Sequence, residues 1–257
     1  MDDTPAATAA TFRAARRRSP WLVPGGLVLI LALLTDNVLA NGPLIGVDER
    51  IRRVVLAQAH SATWHWVGSG GHAPAQLIAQ LGNNQLGLPV LALAALIVSI
   101  RYRSVRPLLA AVIGVTLLLG IVIPAKIVTA RAGPGLPPVA HGAMGVFPSG
   151  HSSTSGVCLG LAAVLLARDL PGWARRATLT VVATVCFLVG TALIWCDYHW
   201  FTDVVAGWVL AALIVMAALR VTGLSRNPGG PADTVRGGAA AVSTDTSREQ
   251  ADDSART

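Results

Sequence analysis

An all-α integral membrane bundle is the fold class this sequence predicts, on three observations. Six apolar runs recur along the chain, at lengths that suit helices crossing about 30 Å of hydrocarbon. Of the 257 residues, 53% are hydrophobic and only 13% charged, with a mean hydropathy of +0.58; soluble domains carry about twice that charge fraction. The arginines stand at the ends of the apolar runs and form no basic face with interleaved aromatics. The net charge of +7 therefore suits membrane lipids, and nucleic-acid binding is excluded as a function class.

The predicted organisation has three parts. Residues 1–20, with Arg13, Arg16, Arg17 and Arg18 among Ala, Thr and Ser, are expected to be a disordered basic cytoplasmic N-terminus. Residues 21–224 form the six-span domain. Residues 225–257, rich in Gly, Ser, Thr, Asp and Arg, form a disordered cytoplasmic tail. The first run, Trp21 to Ala40, also carries features of a secretory signal peptide. Its length and the spans that follow favour an uncleaved helix.

Between spans one and two, Leu44, Val47, Ile51, Val54, Val55 and Gln58 recur with a helical period, and Asp48, Glu49, Arg50, Arg52 and Arg53 fall on the other side. This predicts an amphipathic helix lying on the membrane surface. Trp64 and Trp66 suit an interfacial belt, and His60, His65 and His72 read as solvated or interfacial, since their spacing fits no metal motif. The other five spans are expected at about 86–100, 107–124, 154–168, 177–196 and 200–219. Arginines follow spans two, four and six, on the same side as the basic N-terminus. Because such residues prefer the cytoplasm in short loops, both termini are expected inside, with the 125–153 loop facing outward. Cys158, Cys186 and Cys196 lie in or beside apolar runs and read as buried thiols, outside any disulfide framework or metal site.

Three outward segments carry polar residues near membrane depth, where ionisable groups are costly and therefore functional candidates. One runs from Lys126 to Arg131. Another is Pro148-Ser149-Gly150-His151, a turn-prone patch at the mouth of span four. There Ser149 or Ser152 can cap the helix, and free N–H groups can receive an anion. The third is Asp197 to Asp203. In it His199 and Asp203 stand four apart, so one helical turn places them on one face. A carboxylate there can orient the imidazole, leaving the other ring nitrogen as nucleophile or base. Taken singly, each feature has a plainer reading: Asp203 as a helix cap, Lys126 as a snorkelling cation, Arg131 and His141 as ordinary loop residues. Together they place two cations, a helix-terminus anion site and two histidines on one membrane face. A phosphoryl group needs that combination.

At this point the chain resembles the type 2 phosphatidic acid phosphatases (lipid phosphate phosphatases), which share their site with vanadium haloperoxidases. The family carries Lys-x6-Arg-Pro, Pro-Ser-Gly-His and Ser-Arg-x5-His-x3-Asp. Here the second motif is complete at 148–151; the third keeps His199 and Asp203, followed by Val204-Val205-Ala206-Gly207; the first keeps Lys126 and Pro134. Order and spacing agree over about residues 85–220. The departures are Gly133 in place of one phosphate-gripping arginine and Ala192-Leu193 in place of Ser-Arg. Arg131, two residues before Gly133, is the expected substitute for the first.

The resemblance implies a membrane phosphatase that hydrolyses a lipid phosphomonoester or pyrophosphate at the outer face, without metal or other cofactor. His199 would attack phosphorus and form a phosphohistidine, Asp203 would orient it, and His151 would protonate the leaving oxygen and then activate water. Lys126, Arg131, Ser149 and Gly150 would hold the phosphate oxygens of a lipid phosphate substrate: an isoprenyl pyrophosphate, phosphatidylglycerol phosphate or phosphatidic acid. The missing arginines set up the alternative of a weak or inactive family member that binds lipid phosphate or serves a partner. A transporter or channel is disfavoured by spans nearly free of ionisable residues. A haloperoxidase is disfavoured by the membrane setting and by the absent vanadate-gripping arginines.

Overall fold

A computed structural model of the chain describes residues 21–59, 73–140 and 142–225. The expectations for the two termini (Ser225 apart), for His60, His65 and His72, for Trp64 and Trp66 and for His141 fall outside these residues. The described residues form eight α-helices and one 3-10 turn: α1 (Leu22–Leu39), α2 (Leu44–Ala59), α3 (Ala73–Gln80), α4 (Asn84–Tyr102), α5 (Arg106–Thr129), α6 (Gly150–Leu166, continued by the turn Ala167–Asp169), α7 (Gly172–Trp195) and α8 (Phe201–Val221). Six of them, α1 and α4 to α8, are long and apolar enough to cross a membrane. The chain is a multi-pass membrane protein built as an all-α bundle.

Helix α6 is the hub, packed against α4, α5, α7 and α8, while α1 lies on α8 and α3 on α7. Apolar side chains cover the outer faces as well as the inner ones: Leu29 and Leu33 of α1, Leu93 of α4, Val112 of α5 and Val181 of α7 are all exposed. In a bilayer such faces meet lipid, so burying them supplies no drive for helices to associate, and close van der Waals packing through small residues does that work. The inner seams show it. Ala94, Ala95, Ala110, Ala111, Ala162 and Ala218 fill one cluster together with Leu91 and Leu161, and Gly114 of α5 lies against Leu161 and Val157 of α6.

A close seam involving main chain lies where α8 meets the start of α6. A Cβ on Gly207 would stand 2.8 Å from Ser152 Cβ and 3.0 Å from the Ser149 carbonyl oxygen. One of these is main chain and cannot swing away. Gly207→Ala is expected to lower stability by about 1–3 kcal/mol, the usual range for overpacking, read as a lowered melting temperature of the detergent-solubilised protein.

Spans four and five start four to five residues before the sequence expectation, at Gly150 and Gly172, and the other spans start within two residues of it. Span four begins at Gly150, about four residues early, because Ser149 is the N-cap: its backbone is extended (φ −63°, ψ 120°) and its side-chain oxygen accepts the Ser152 amide at 3.3 Å. Span six begins at Phe201, with Trp200 as N-cap.

The surface helix is present as α2, but it is turned relative to the expected orientation. Asp48 is only 1% exposed, whereas Val47 and Val54 are 41% and 53% exposed. The reason is electrostatic. Arg131 and Asp197 offer α2 opposite charges from the bundle, so Asp48 and Arg52 turn inward to meet them.

Candidate active site

The site is assembled where α5 ends, α6 begins and α7 turns into α8. Helix α5 stops at Ala130, which takes a left-handed conformation (φ 42°), and the chain later returns alongside that end. Gly145 N–H donates to the Lys126 carbonyl at 3.0 Å, and Val146 N–H to the Arg131 carbonyl at 2.9 Å. Gly145 is required there, since any Cβ would collide with the Ala130–Arg131 backbone. The returning strand of chain in turn fixes the lysine, whose Nζ donates to the carbonyls of Gly145 and Val146 at 3.1 and 3.3 Å. The Phe147–Pro148 peptide bond is cis.

The Pro-Ser-Gly-His turn is tied to α8 through Ser149 N–H, which donates to the Asp203 carbonyl at 3.0 Å. Ser149 is fully buried and spends its side chain on the cap. Gly150 and His151 follow as the first residues of α6, half-buried and at the cavity.

Asp203 does two jobs. It lies in the first turn of α8, where its Oδ2 accepts the Trp200 amide at 3.1 Å, and the same oxygen faces His199 Nδ1 at 3.4 Å. One oxygen thus caps α8 and also stands beside the His199 ring. With Nδ1 turned to Asp203, His199 presents Nε2 outward.

A cavity of about 480 Å³ collects these parts. Lys126, Gly150, His151, Thr154 and His199 line it, together with Gly82, Asn83 and Asn84 from the α3–α4 turn. Its remaining wall includes Leu118, Leu119, Val122 and Ile123 of α5, so the chamber has a polar end and an apolar side. A second cavity, about 520 Å³ between α6, α7 and α8, is lined by apolar and small side chains with no histidine, lysine or carboxylate.

Of the residues expected at the site, Lys126, His151, His199 and Gly150 share the cavity. Ser149 stands behind Gly150 and Asp203 behind His199. Arg131 is one layer further back. Its guanidinium donates to Asp203 Oδ1 at 2.5 Å, to Thr202 Oγ1 at 2.7 Å and to Asp48 Oδ2 at 2.6 Å. It also lies over the Trp200 ring, 5.4 Å from the centroid. The positions of the two missing arginines are filled by packing. Gly133 is buried against Leu136 and Val146, and Leu193 belongs to an apolar cluster with Ala79, Val189 and Val204.

Four residues at or behind the site, Asn83, Asn84, Asp48 and Arg52, were not read as site residues from the sequence. Asn83 caps α4, accepting the Gln85 amide at 3.1 Å, and so sets Asn84, which accepts from Thr154 Oγ1 at 2.7 Å. An Asn pair after a Gly is a readable helix-start signal. Asp48 accepts the Thr202 amide at 2.9 Å and the Thr202 hydroxyl at 2.6 Å; no local pattern in α2 points to it. Nearer the rim, Arg52 makes a two-pronged pair with Asp197, both contacts at 2.8 Å. That hydrogen-bonded carboxylate raises the Arg52 pKa above its ordinary value.

The family model described as PAP2 superfamily matches residues 104–226, a segment that contains every predicted site residue. Among solved structures, the chain is similar to that described as the first transmembrane PAP2 type phosphatidylglycerolphosphate phosphatase from Bacillus subtilis. The TM-score is 0.66 at 21% identity, covering 80% of this chain and 98% of that one; at this identity the likeness shows the fold. No curated protein matches the chain.

Proposed function

From the premise that residues 104–226 belong to the PAP2 superfamily, we propose that this membrane protein is a lipid phosphate phosphatase working through a phosphohistidine. The observation that carries the reading is the cavity itself: two histidines, a lysine and a helix N-terminus meet at one end, and apolar α5 side chains form the side. The polar end suits a phosphate and the apolar side suits a lipid chain.

In this mechanism Lys126 and the N-terminal amides of α6 beginning at Gly150 neutralise the phosphate, the amides aided by the helix dipole. Ser149 shapes that N-terminus by capping it. His199 Nε2 attacks phosphorus, forming the N–P bond as the bond to the leaving oxygen breaks. Asp203, held to Nδ1, stabilises the positive charge that develops on the ring. His151 gives its proton to the leaving lipid oxygen. It then takes a proton from water, whose oxygen attacks phosphorus; the N–P bond breaks, and phosphate and free His199 are restored. Arg131 contributes through Asp203, since its guanidinium is directed at the carboxylates and is not among the cavity-lining groups. No metal takes part. The arginines that follow spans two, four and six support an extracytoplasmic site.

Purified protein is expected to release phosphate from at least one of phosphatidic acid, phosphatidylglycerol phosphate or an isoprenyl pyrophosphate, equally well with a metal chelator present. Lys126→Ala is expected to lower kcat/KM by about 10²-fold or more, the cost of removing one preorganised cation or donor. A wild-type protein inert on the whole panel sinks the enzymatic reading. The second reading, a lipid-phosphate binder without turnover, rests on the apolar filling of the Gly133 and Leu193 positions. Saturable binding of the same lipids by an inert protein would support it.

A further inference from the structure

We propose that Asp48 is a positioning residue for the nucleophile: it takes up the charge of Arg131, so that Asp203 keeps a net negative charge facing His199. The inference rests on His199 being the nucleophile, as argued above. It concerns a residue 78 positions upstream of Lys126, on a helix outside the segment that matches the family.

The geometry is a chain of buried charges. His199 Nδ1 faces Asp203 Oδ2; the other oxygen of Asp203 accepts from Arg131 Nη1; Arg131 Nη2 donates to Asp48 Oδ2. The Arg131 side chain is 8% exposed and both carboxylates are fully buried. Thr202 closes the group, donating its amide and hydroxyl to Asp48 and accepting from Arg131.

The charge sum gives Asp48 its role. Asp203 and Arg131 alone sum to zero, and a carboxylate fully paired with a buried guanidinium does little to stabilise a positive ring beside it. With Asp48 the group carries one net negative charge, and an imidazolium or phosphorylated imidazole at His199 then finds its counter-charge. At low effective dielectric this balance matters far more than it would in water. A buried guanidinium also requires that its charge be compensated. Two carboxylates on one arginine, where one would satisfy it, leave the surplus on the side of His199.

The alternative is that Asp48 only anchors α2 to the bundle. Arg52 and Asp197 already make such an anchor, and charge removal separates the two roles. The experiment measures phosphate release from phosphatidic acid micelles by purified full-length wild type, Asp48→Asn, Arg131→Gln and the double variant. Melting temperatures are recorded, with His199→Ala as control. Asp48→Asn is expected to lower kcat about 10- to 50-fold with KM within about twofold, because Asp48 does not line the cavity. The double variant removes one charge of each sign and restores the negative charge at Asp203. It is therefore expected to be more active than Asp48→Asn and no less active than Arg131→Gln.

A double variant whose loss equals or exceeds the product of the single losses overturns the proposal, as does an unaltered kcat in Asp48→Asn. If Asp48→Asn does not purify folded, the comparison of the double variant with Arg131→Gln decides: equal or higher activity supports charge balance, since Asp48 has no charge to take up once Arg131 is gone, and lower activity overturns it. Activity retained by His199→Ala would instead remove the nucleophile reading, a result distinct from either.

Discussion

His199→Ala is expected to reduce phosphate release at least about 10³-fold, without a matching loss of stability. The ring faces Asp203 at 3.4 Å and borders the cavity, so truncation removes the proposed attacking atom and enlarges a space already open beside it. Asp203 keeps its amide partner Trp200 and its guanidinium partner Arg131 in the variant, and α8 should begin where it does now. Single-turnover measurements sharpen the test. Wild type trapped in acid-free, alkaline quench should carry phosphate on nitrogen, and His199→Ala should carry none. A variant within tenfold of wild type would show that another group attacks phosphorus.

His151→Ala is the second large effect, and its size should depend on the substrate. A general acid contributes about 10²–10⁴-fold, most where the leaving group is a poor one. A lipid alkoxide needs its proton; a nitrophenolate does not. The variant is therefore expected to lose about 10³-fold on a lipid phosphomonoester, and far less on phosphorylation by p-nitrophenyl phosphate. The later attack of water, which also uses His151, would then show as accumulated phosphoenzyme. Equal losses on both substrates, with no accumulation, would make His151 a binding residue instead of a proton donor.

The parts of this fold that are legible in the sequence are those set by local chemistry. The six spans follow from apolar length, and the Pro-Ser-Gly-His turn follows from residues that break helices and cap them. His199 and Asp203 meet because four residues across a helix start bring them together, although α8 begins two residues after His199. What the sequence hides is set by partners far along the chain. Asp48 lies 83 residues from Arg131, and Arg52 lies 145 from Asp197. A helix such as α2, taken alone, turns its charges to water; the bundle reverses this by offering charges of the opposite sign. Arg131 illustrates the same limit. Spacing placed it near a lost phosphate ligand, but the left-handed residue at Ala130 ends α5 just before it, and its guanidinium meets two carboxylates beyond.

The double duty of Asp203 has a consequence for how the site exists at all. The oxygen that faces His199 also caps α8, so the first turn of that helix and the setting of the His199 ring are coupled. Fraying of the first turn of α8 therefore also costs His199 its carboxylate partner. The Ser149 amide adds the Pro-Ser-Gly-His turn to the same unit by binding the Asp203 carbonyl. His199 and the turn that carries Gly150 and His151 are thereby tied to one piece of backbone, the start of α8.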